Sequence, residues 1–411
     1  MTTRSLTSPL KIAGPLKIAG LATATAIALG AAAHAQEIKI GAIVPMTGDL
    51  QAYGETTLNG IRLAEKEINA AGGDISVVVG DTQTAPQAGV DAAQKLVSVE
   101  KVSGLVGALS SGVTIPIAQS VSAVVGVPQI SGASTSPVIT NLEDNDFLFR
   151  TVPSDAGQGV ALAQVTQERG IESVAIMYVN NDYGKGLADS FQAAFEALGG
   201  TVTQSVGFEK NQASYRGELQ NAADGDAERL VLIAYPESGQ TILRQSLEGG
   251  LFDKFIFTDG LKAPELVSAL GAEYMNGTFG TTAKALETEG TKHFHEAWVA
   301  EYGAESDKPY HDTAYDAVHL LALAAVKAGA TDPVAVRDAL RDVANPPGEK
   351  VGPGQYAKAL ELLNAGTDID YEGAAGSQNF DSNGDVAGTF ELWEIKDGKF
   401  VSERVFEPKA M

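Results

Sequence analysis

Two short loops rich in small hydroxyl residues, Leu109-Ser110-Ser111-Gly112 and Gly132-Ala133-Ser134-Thr135-Ser136-Pro137, carry the residue types that grip an anion. Hydroxyls and free backbone N–H groups together bind a carboxylate without a buried cation. Ser and Thr also cap helices, the commoner fate of any one such loop, but two of them at neighbouring strand ends shift the balance toward binding. A second group, Asn180-Asn181-Asp182-Tyr183, Ala234-Tyr235-Pro236-Glu237 and Thr258-Asp259-Gly260, offers a carboxylate and two tyrosines. Such a set binds an ammonium group and walls an apolar side chain. Asp259 is the sharpest of these, because Asp before Gly at a strand end is either a tight turn or a ligand contact.

Catalytic parts are poor by comparison, and the expectation is that the chain is not an enzyme and holds no cofactor or metal. Ala108-Leu109-Ser110-Ser111-Gly112 has Ala where a nucleophile elbow needs its first Gly. His293-Phe294-His295 places two imidazoles at i,i+2, which diverge on a helix, so solvated surface is the better reading. His319 lies in an apolar pattern and reads as interior, and His311 sits beside Tyr310 near a pocket rim. Asp381-Ser382-Asn383-Gly384-Asp385 hints at a calcium loop but lacks the spacing to a terminal Glu, so it reads as a turn. No Gly-rich phosphate motif follows a strand.

The elements that must position these loops are legible from periodicity. Strands are expected at Glu37–Val44, Ile75–Gly80, Gly104–Ala108 and Val127–Ser131, alternating with helices over Tyr53–Ala71, Ala88–Glu100 and Thr114–Val124. After the polar stretch Asn141–Ser154 a second series follows: helix Gly157–Arg169, strand Val174–Val179, helix Gly184–Leu198, strand Val202–Phe208, helix Gln212–Ala223, strand Leu230–Tyr235, helix Gly239–Glu248 and strand Phe255–Thr258. This order predicts an α/β fold of two lobes, each a doubly wound parallel sheet flanked by helices. Helices Lys292–Tyr302, Thr313–Ala328 and Pro333–Val343 are expected to return to the first sheet. Gly388–Ile395 and Phe400–Val405 read as a terminal hairpin. Phe149–Pro153 and Phe279–Thr282 are candidate hinge crossings. In parallel sheets ligands collect at the carboxyl ends of strands, where all five loops fall.

Arg4, Lys11 and Lys17 precede an uncharged run, Ile18–Ala33, that ends in Ala33-His34-Ala35. This is the layout of a signal peptide over residues 1–35, cleaved to leave Gln36–Met411 in the periplasm. The run is too short and too Ala/Gly-rich for a membrane span. The absence of Cys removes disulfides, thiolate zinc sites and a lipobox, so no direct membrane anchor is expected. Of 29 basic and 52 acidic residues, three basic ones fall in the leader, leaving 26 against 52. That surplus argues against nucleic acid and anionic membrane surfaces as partners. The remaining length favours two domains over one core.

Val44-Pro45-Met46-Thr47-Gly48, Tyr53-Gly54-Glu55 and Glu67-Ile68-Asn69-Ala70-Ala71-Gly72-Gly73 resemble the opening of the leucine/isoleucine/valine-binding protein family, type I periplasmic binding proteins of branched-chain amino acid ABC importers. The similarity continues through Leu105–Ser111, Ser131–Pro137, Asp182–Gly186, Asp312–Ala317 and Asn379–Asp385. The resemblance implies a small-molecule ligand, an amino acid or related carboxylate, held by Venus-flytrap closure, and a membrane permease as partner. It implies that Ser111, with Ser110 beside it, and the loop Ala133-Ser134-Thr135 bind the ligand carboxylate. Tyr53, Tyr183 and Tyr235 would line the pocket, and Tyr310 would close it near the side chain. The ammonium would go to an acidic residue of the second lobe, and the nearest here is Asp259, in Thr-Asp-Gly instead of a Glu-containing loop. One methylene less leaves leucine-like, smaller, γ-amino and non-amino carboxylates all open. The lobes are expected as 36–152 with 284–370, and 153–283 with 371–411. The same fold also serves ligand sensors, here one presenting a small amide or aromatic acid to a regulatory partner.

Overall fold

The structure, a computed structural model, describes residues 37–410, so the leader and its cleavage site lie outside the described residues. The first sheet comprises β1 Ile38–Val44, β2 Ile75–Asp81, β3 Gly104–Gly107, β4 Gln129–Ser131 and β5 Leu148–Arg150, in the order β2-β1-β3-β4-β5 and parallel throughout. Both faces are buried, as expected of a parallel sheet. Ile38, Ile40, Ala42 and Val44 of β1 join the main core, whereas Ile43 joins a second cluster with Leu105, Val113 and Ile117 on the opposite face.

A second sheet repeats the order with β6 Ser173–Val179, β7 Thr201–Phe208, β8 Arg229–Ile233, β9 Phe255–Phe257 and β10 Phe279–Ala283, paired as β7-β6-β8-β9-β10. A three-stranded patch follows: β11 Glu349–Val351, β12 Ile369–Gly373 and β13 Gly376–Ser377. The hairpin β14 Phe390–Lys396 and β15 Lys399–Phe406 then adds antiparallel to β10, making the second sheet seven-stranded. The chain therefore passes between the two large sheets three times: after β5, after β10 and before β14. The first passage follows β5 and includes Val152 and Pro153 of the expected crossing Phe149–Pro153, whereas Phe279–Thr282 belongs to strand β10 and the second passage begins after it. Helix His311–Ala328 is buried on nearly every face, which its Ala/Leu-rich sequence permits, and it packs against helix Gln51–Ala70.

Several elements differ from expectation for identifiable reasons. Strand β5 lies in the stretch that shows no period, because three residues are too few to display one. The helix expected from Gln212 starts at Arg216, since the Tyr215 hydroxyl takes the Gln212 N–H at 3.1 Å and Gln245 Oε1 takes the Tyr215 N–H at 2.7 Å. The helix expected over Thr114–Val124 begins at Ser111 and continues with a π-helical turn over Ala118–Ser122. The three-stranded patch and helix Tyr356–Asn364 have no counterpart in the sequence reading.

Candidate functional site

In both sheets the strand order reverses direction beside the first strand of the series, between β1 and β3 and between β6 and β8. Such a switch point opens a crevice at the carboxyl ends of the strands. Loops leaving β1, β3 and β4 bring Tyr53, Ser111 and Ala133, and those leaving β6, β8 and β9 bring Tyr183, Tyr235 and Asp259. Tyr310, immediately before helix His311–Ala328, completes the enclosure. Two Tyr-Gly pairs let helix starts seat directly on strand ends. A Cβ on Gly54 would lie 2.1 Å from the Pro45 carbonyl oxygen, and one on Gly184 would lie 2.1 Å from that of Val179. Only glycine allows this approach, which puts Tyr53 and Tyr183 over the crevice.

These residues line a small cavity of about 20 Å³, with Leu50, Leu109 and Gly260 filling out its wall. Tyr183 and Tyr235 stack with ring centroids 5.6 Å apart, and Tyr53 meets Tyr310 edge-on at 6.2 Å. Asp259 accepts from three protein donors, Tyr183 Oη at 2.8 Å and Gln158 Nε2 at 3.0 Å on Oδ1 and the Tyr310 hydroxyl on Oδ2, which leaves acceptor capacity on Oδ2. Burial raises its carboxyl above the usual range, opposed by those three donors. Burial, with the Asp259 charge adding to it, also pushes the phenols of Tyr53, Tyr183, Tyr235 and Tyr310 up, so all four remain hydrogen-bond donors. Tyr53 donates to the Gly260 carbonyl at 3.0 Å.

Of the ten residues singled out from the sequence, seven line this cavity: Tyr53, Ser111, Ala133, Tyr183, Tyr235, Asp259 and Tyr310. Ser110 is turned to the Tyr235 hydroxyl at 3.0 Å, joining the two sheets' loops. Ser134 faces Thr114 Oγ1 at 2.7 Å and bonds the carbonyls of Ala108 and Leu109, which fastens the two hydroxyl loops to each other. The Thr135 hydroxyl is buried and unpaired among the described residues. Gln158 and Asp155, on the first turn of helix Asp155–Glu168, were missed, because the strand they follow, β5, is too short to show a period. Their signal is the pair of polar side chains one turn apart in a helix start that is otherwise apolar.

The remaining polar features fall into place. His293 and His295 point to different carboxylates, Glu67 at 3.2 Å and Glu305 at 3.0 Å. His319 is interior and bonds the Tyr315 carbonyl at 3.2 Å. His311 packs on Trp298 with ring centroids 4.4 Å apart, and does not line the cavity. Asp381–Asp385 is a turn in which Asp381 Oδ1 accepts from the Asn383 and Asp385 N–H groups. No helix among the described residues is long and apolar enough to cross a membrane.

Comparison with known proteins agrees with this architecture. Residues 37–356 match the family described as periplasmic binding protein. The Leu/Ile/Val-binding protein homolog 1 of Brucella suis is 32% identical, over 79% of this chain and 87% of its own length. The chemotactic signal transduction system substrate-binding protein BasB of Halobacterium salinarum is 27% identical over 83% of each chain. Among solved structures, the branched-chain amino acid transporter substrate binding protein LivJ of Streptococcus pneumoniae in complex with isoleucine superposes with a TM-score of 0.75 at 26% identity, covering 91% of this chain and all of that one. With two sheets of parallel core bordering a tyrosine-lined cavity, the chain belongs to the leucine/isoleucine/valine-binding protein family, ligand-binding proteins of the type I periplasmic binding fold.

Proposed function

We propose that this chain is the exported, periplasmic substrate-binding component of an ABC importer and carries out no chemistry of its own. The ligand is a small amino acid, branched-chain or similarly apolar, held between the two sheets. The observation that carries the reading is the lining of this cavity, where the Ser111 hydroxyl and the Ala133 loop face a tyrosine and carboxylate wall at Tyr183, Tyr235 and Asp259. Hydroxyl and backbone donors suit the ligand carboxylate, the acidic wall suits its ammonium, and the rings of Tyr53 and Tyr310 suit an apolar side chain. Each wall belongs to a different sheet, so a ligand that touches both favours the closed arrangement over any open one. The isoleucine held by the Streptococcus pneumoniae relative supports the ligand class. A permease then recognises the closed form, with the three passages between sheets as hinges.

The test is a thermal-shift screen of refolded, ligand-stripped protein against amino acids, small amides and aromatic acids, followed by calorimetric titration of the best. A ligand at 100 times its Kd stabilises by about 2.7 kcal/mol, which gives a clear shift. A branched-chain amino acid is expected to lead. If no small carboxylate or amide raises the melting temperature, the binding reading fails. Asp259→Ala is expected to weaken amino-acid binding, and unchanged affinity would remove Asp259 from the ammonium site. The likeness to BasB favours a second reading, presentation of the ligand to a chemotactic partner. Loss of uptake in a deletion strain supports import, and loss of chemotaxis with uptake intact supports sensing.

A further inference from the structure

A second cavity, of about 530 Å³, shares only Tyr310 with the tyrosine-lined one. It is bounded by both halves of the molecule. Lys262, from the loop after β9, and Glu391, on β14, belong to the second sheet, whereas Lys308, His311 and Asp312 stand at and just before the start of helix His311–Ala328. The passage after β10 contributes Lys284, and the lining between the charged groups is aliphatic, from Val152, Ala283, Ala285 and Ala374. Small-molecule sites usually measure about 300–1,000 Å³, so this cavity has room for a whole ligand.

Its charges do not cancel locally. Glu391 is buried and holds two lysines at once, Lys262 Nζ at 2.5 Å and Lys284 Nζ at 2.7 Å. Burial raises the Glu391 carboxyl, but the two ammonium groups outweigh it and hold it below the usual range. Two cations on one carboxylate leave the second-sheet side with a positive charge in excess. Across the cavity Asp312 is half-buried, makes no ion pair among the described residues, and accepts only the N–H of Thr313, at 2.9 Å. Lys308 does not neutralise it, being taken by Glu265 and by the Ala52 carbonyl at 2.7 Å. Lys292 and Glu287 cancel each other at 3.0 Å, and the exposed Glu296 and Asp307 add unpaired negative charge to the Asp312 side. His311 lines the same cavity at 6% exposure, and neither of its ring nitrogens has a hydrogen-bond partner among the described residues. Burial lowers its pKa, so the imidazole is neutral and offers one donor and one acceptor. A buried polar group without a partner is costly, and a bound polar molecule removes that cost.

We propose that this cavity is a second ligand site that takes a free amino acid as its zwitterion, with the carboxylate on Lys262 and Lys284, the ammonium on Asp312, and His311 supplying a further hydrogen bond. A molecule with one charge answers one side and leaves the other unmatched. The aliphatic lining receives the side chain. The site is separate from the tyrosine-lined cavity, so it adds a second bound molecule per chain and does not depend on which ligand the first one takes.

The test counts molecules bound per chain by equilibrium dialysis of ligand-stripped protein, with L-leucine, glycine and 4-aminobutanoate as probes. Lys262→Met and Asp312→Asn are each expected to weaken one class of site by about tenfold or more, the loss of a charge-assisted contact, and to leave the other class unchanged. Lys284 still pairs with Glu391 in Lys262→Met, so no buried carboxylate is stranded in that variant. Ala285→Trp fills the cavity with every charge in place and is expected to remove the same class of site. Asp259→Ala acts on the other class alone. 4-Methylpentanoate, which lacks the ammonium, and 3-methylbutylammonium, which lacks the carboxylate, are expected not to occupy the second site. The proposal is overturned if no bound molecule of any probe is lost in Lys262→Met and Ala285→Trp while persisting in Asp259→Ala. It is overturned equally if the two singly charged analogues fill the second site as tightly as L-leucine. If no bound molecule responds to Asp259→Ala, the assignment of the tyrosine-lined cavity fails by itself, and the response to Lys262→Met and Ala285→Trp still decides the second site.

Discussion

Ser238 donates its hydroxyl hydrogen to the buried Asp49 carboxylate at 3.0 Å, tying the loop after β1 in the first sheet to the helix after β8 in the second. Gln51 and Glu237 repeat the tie at 2.9 Å on the surface, and Ser136 donates to the Asp182 carbonyl at 2.8 Å. The Lys210 ammonium reaches the Thr84 carbonyl on the same flank. These bonds join loops of the two sheets and exist only while the sheets are together. Removing the donor with Ser238→Ala leaves a buried acceptor unpaired, a loss of about 1.5–3 kcal/mol for a bond to a charged group. The expected result is ligand affinity weaker by about tenfold or more, with the change in the off-rate by stopped-flow fluorescence. An unchanged off-rate would mean that the tie does not hold the closed form.

Arg150 and Asp385 make a second long-range pair, bidentate at 2.5 and 2.7 Å with the arginine wholly buried. The Asp381–Asp385 turn presents the carboxylate, and the guanidinium passes its remaining N–H groups to Ser134 and Ser136, so the pair fixes the hydroxyl loop. Breaking a buried pair from one side costs about 3–5 kcal/mol. Arg150→Met is therefore expected to lower the unfolding free energy by that amount, read from the shift of the urea midpoint. Arg150→Lys should recover little, since lysine lacks the planar fork. Recovery to wild-type stability by lysine would contradict the geometric argument.

What the sequence made legible follows from these contacts. Strand ends in a parallel α/β chain can be read from alternating apolar runs and helical stripes, and with them the loops that carry Ser111, Ala133, Tyr183, Tyr235 and Asp259. Which hydroxyl of a loop faces inward could not be read. Ser110 and Ser111 are equivalent in pattern, yet one meets Tyr235 across the crevice and the other lines the cavity. Arg150, Asp155 and Gln158 lie around a crossing with no period, and the partner that defines Arg150 is more than two hundred residues away. Leu50 and Leu109 have no signal that separates a cavity wall from ordinary core.

Two buried groups one turn apart on helix His311–Ala328 should bend the stability profile in opposite directions. Burial pushes Asp316 up to about 7 despite donors from Ala374, Ala375 and Tyr371, and burial brings His319 down to about 4. A raised carboxyl contributes stability that is present below the unfolded value and lost as pH rises through 7. A lowered imidazole contributes stability that is lost as pH falls from its unfolded value toward 4. Asp316→Asn should therefore make stability between pH 4 and 7 rise more steeply with pH than in wild type. His319→Gln should flatten or reverse that rise. Chemical denaturation at five pH values checks both, and parallel curves for all three proteins would contradict the assignment.

Tyr310 stands at φ +80°, a left-handed backbone that costs a non-glycine residue about 1–3 kcal/mol. Its hydroxyl on Asp259 and its edge against Tyr53 hold it there. Tyr310→Phe keeps the ring and the strained backbone but strips one donor from the Asp259 carboxylate. The expected loss is about 1.5–3 kcal/mol of ligand-free stability. Pairing the change with Asp259→Asn should be far less than additive, because both substitutions act on one bond. A double-mutant cycle by urea denaturation reads the coupling directly, and additive losses would show that the Tyr310 hydroxyl and Asp259 contribute independently.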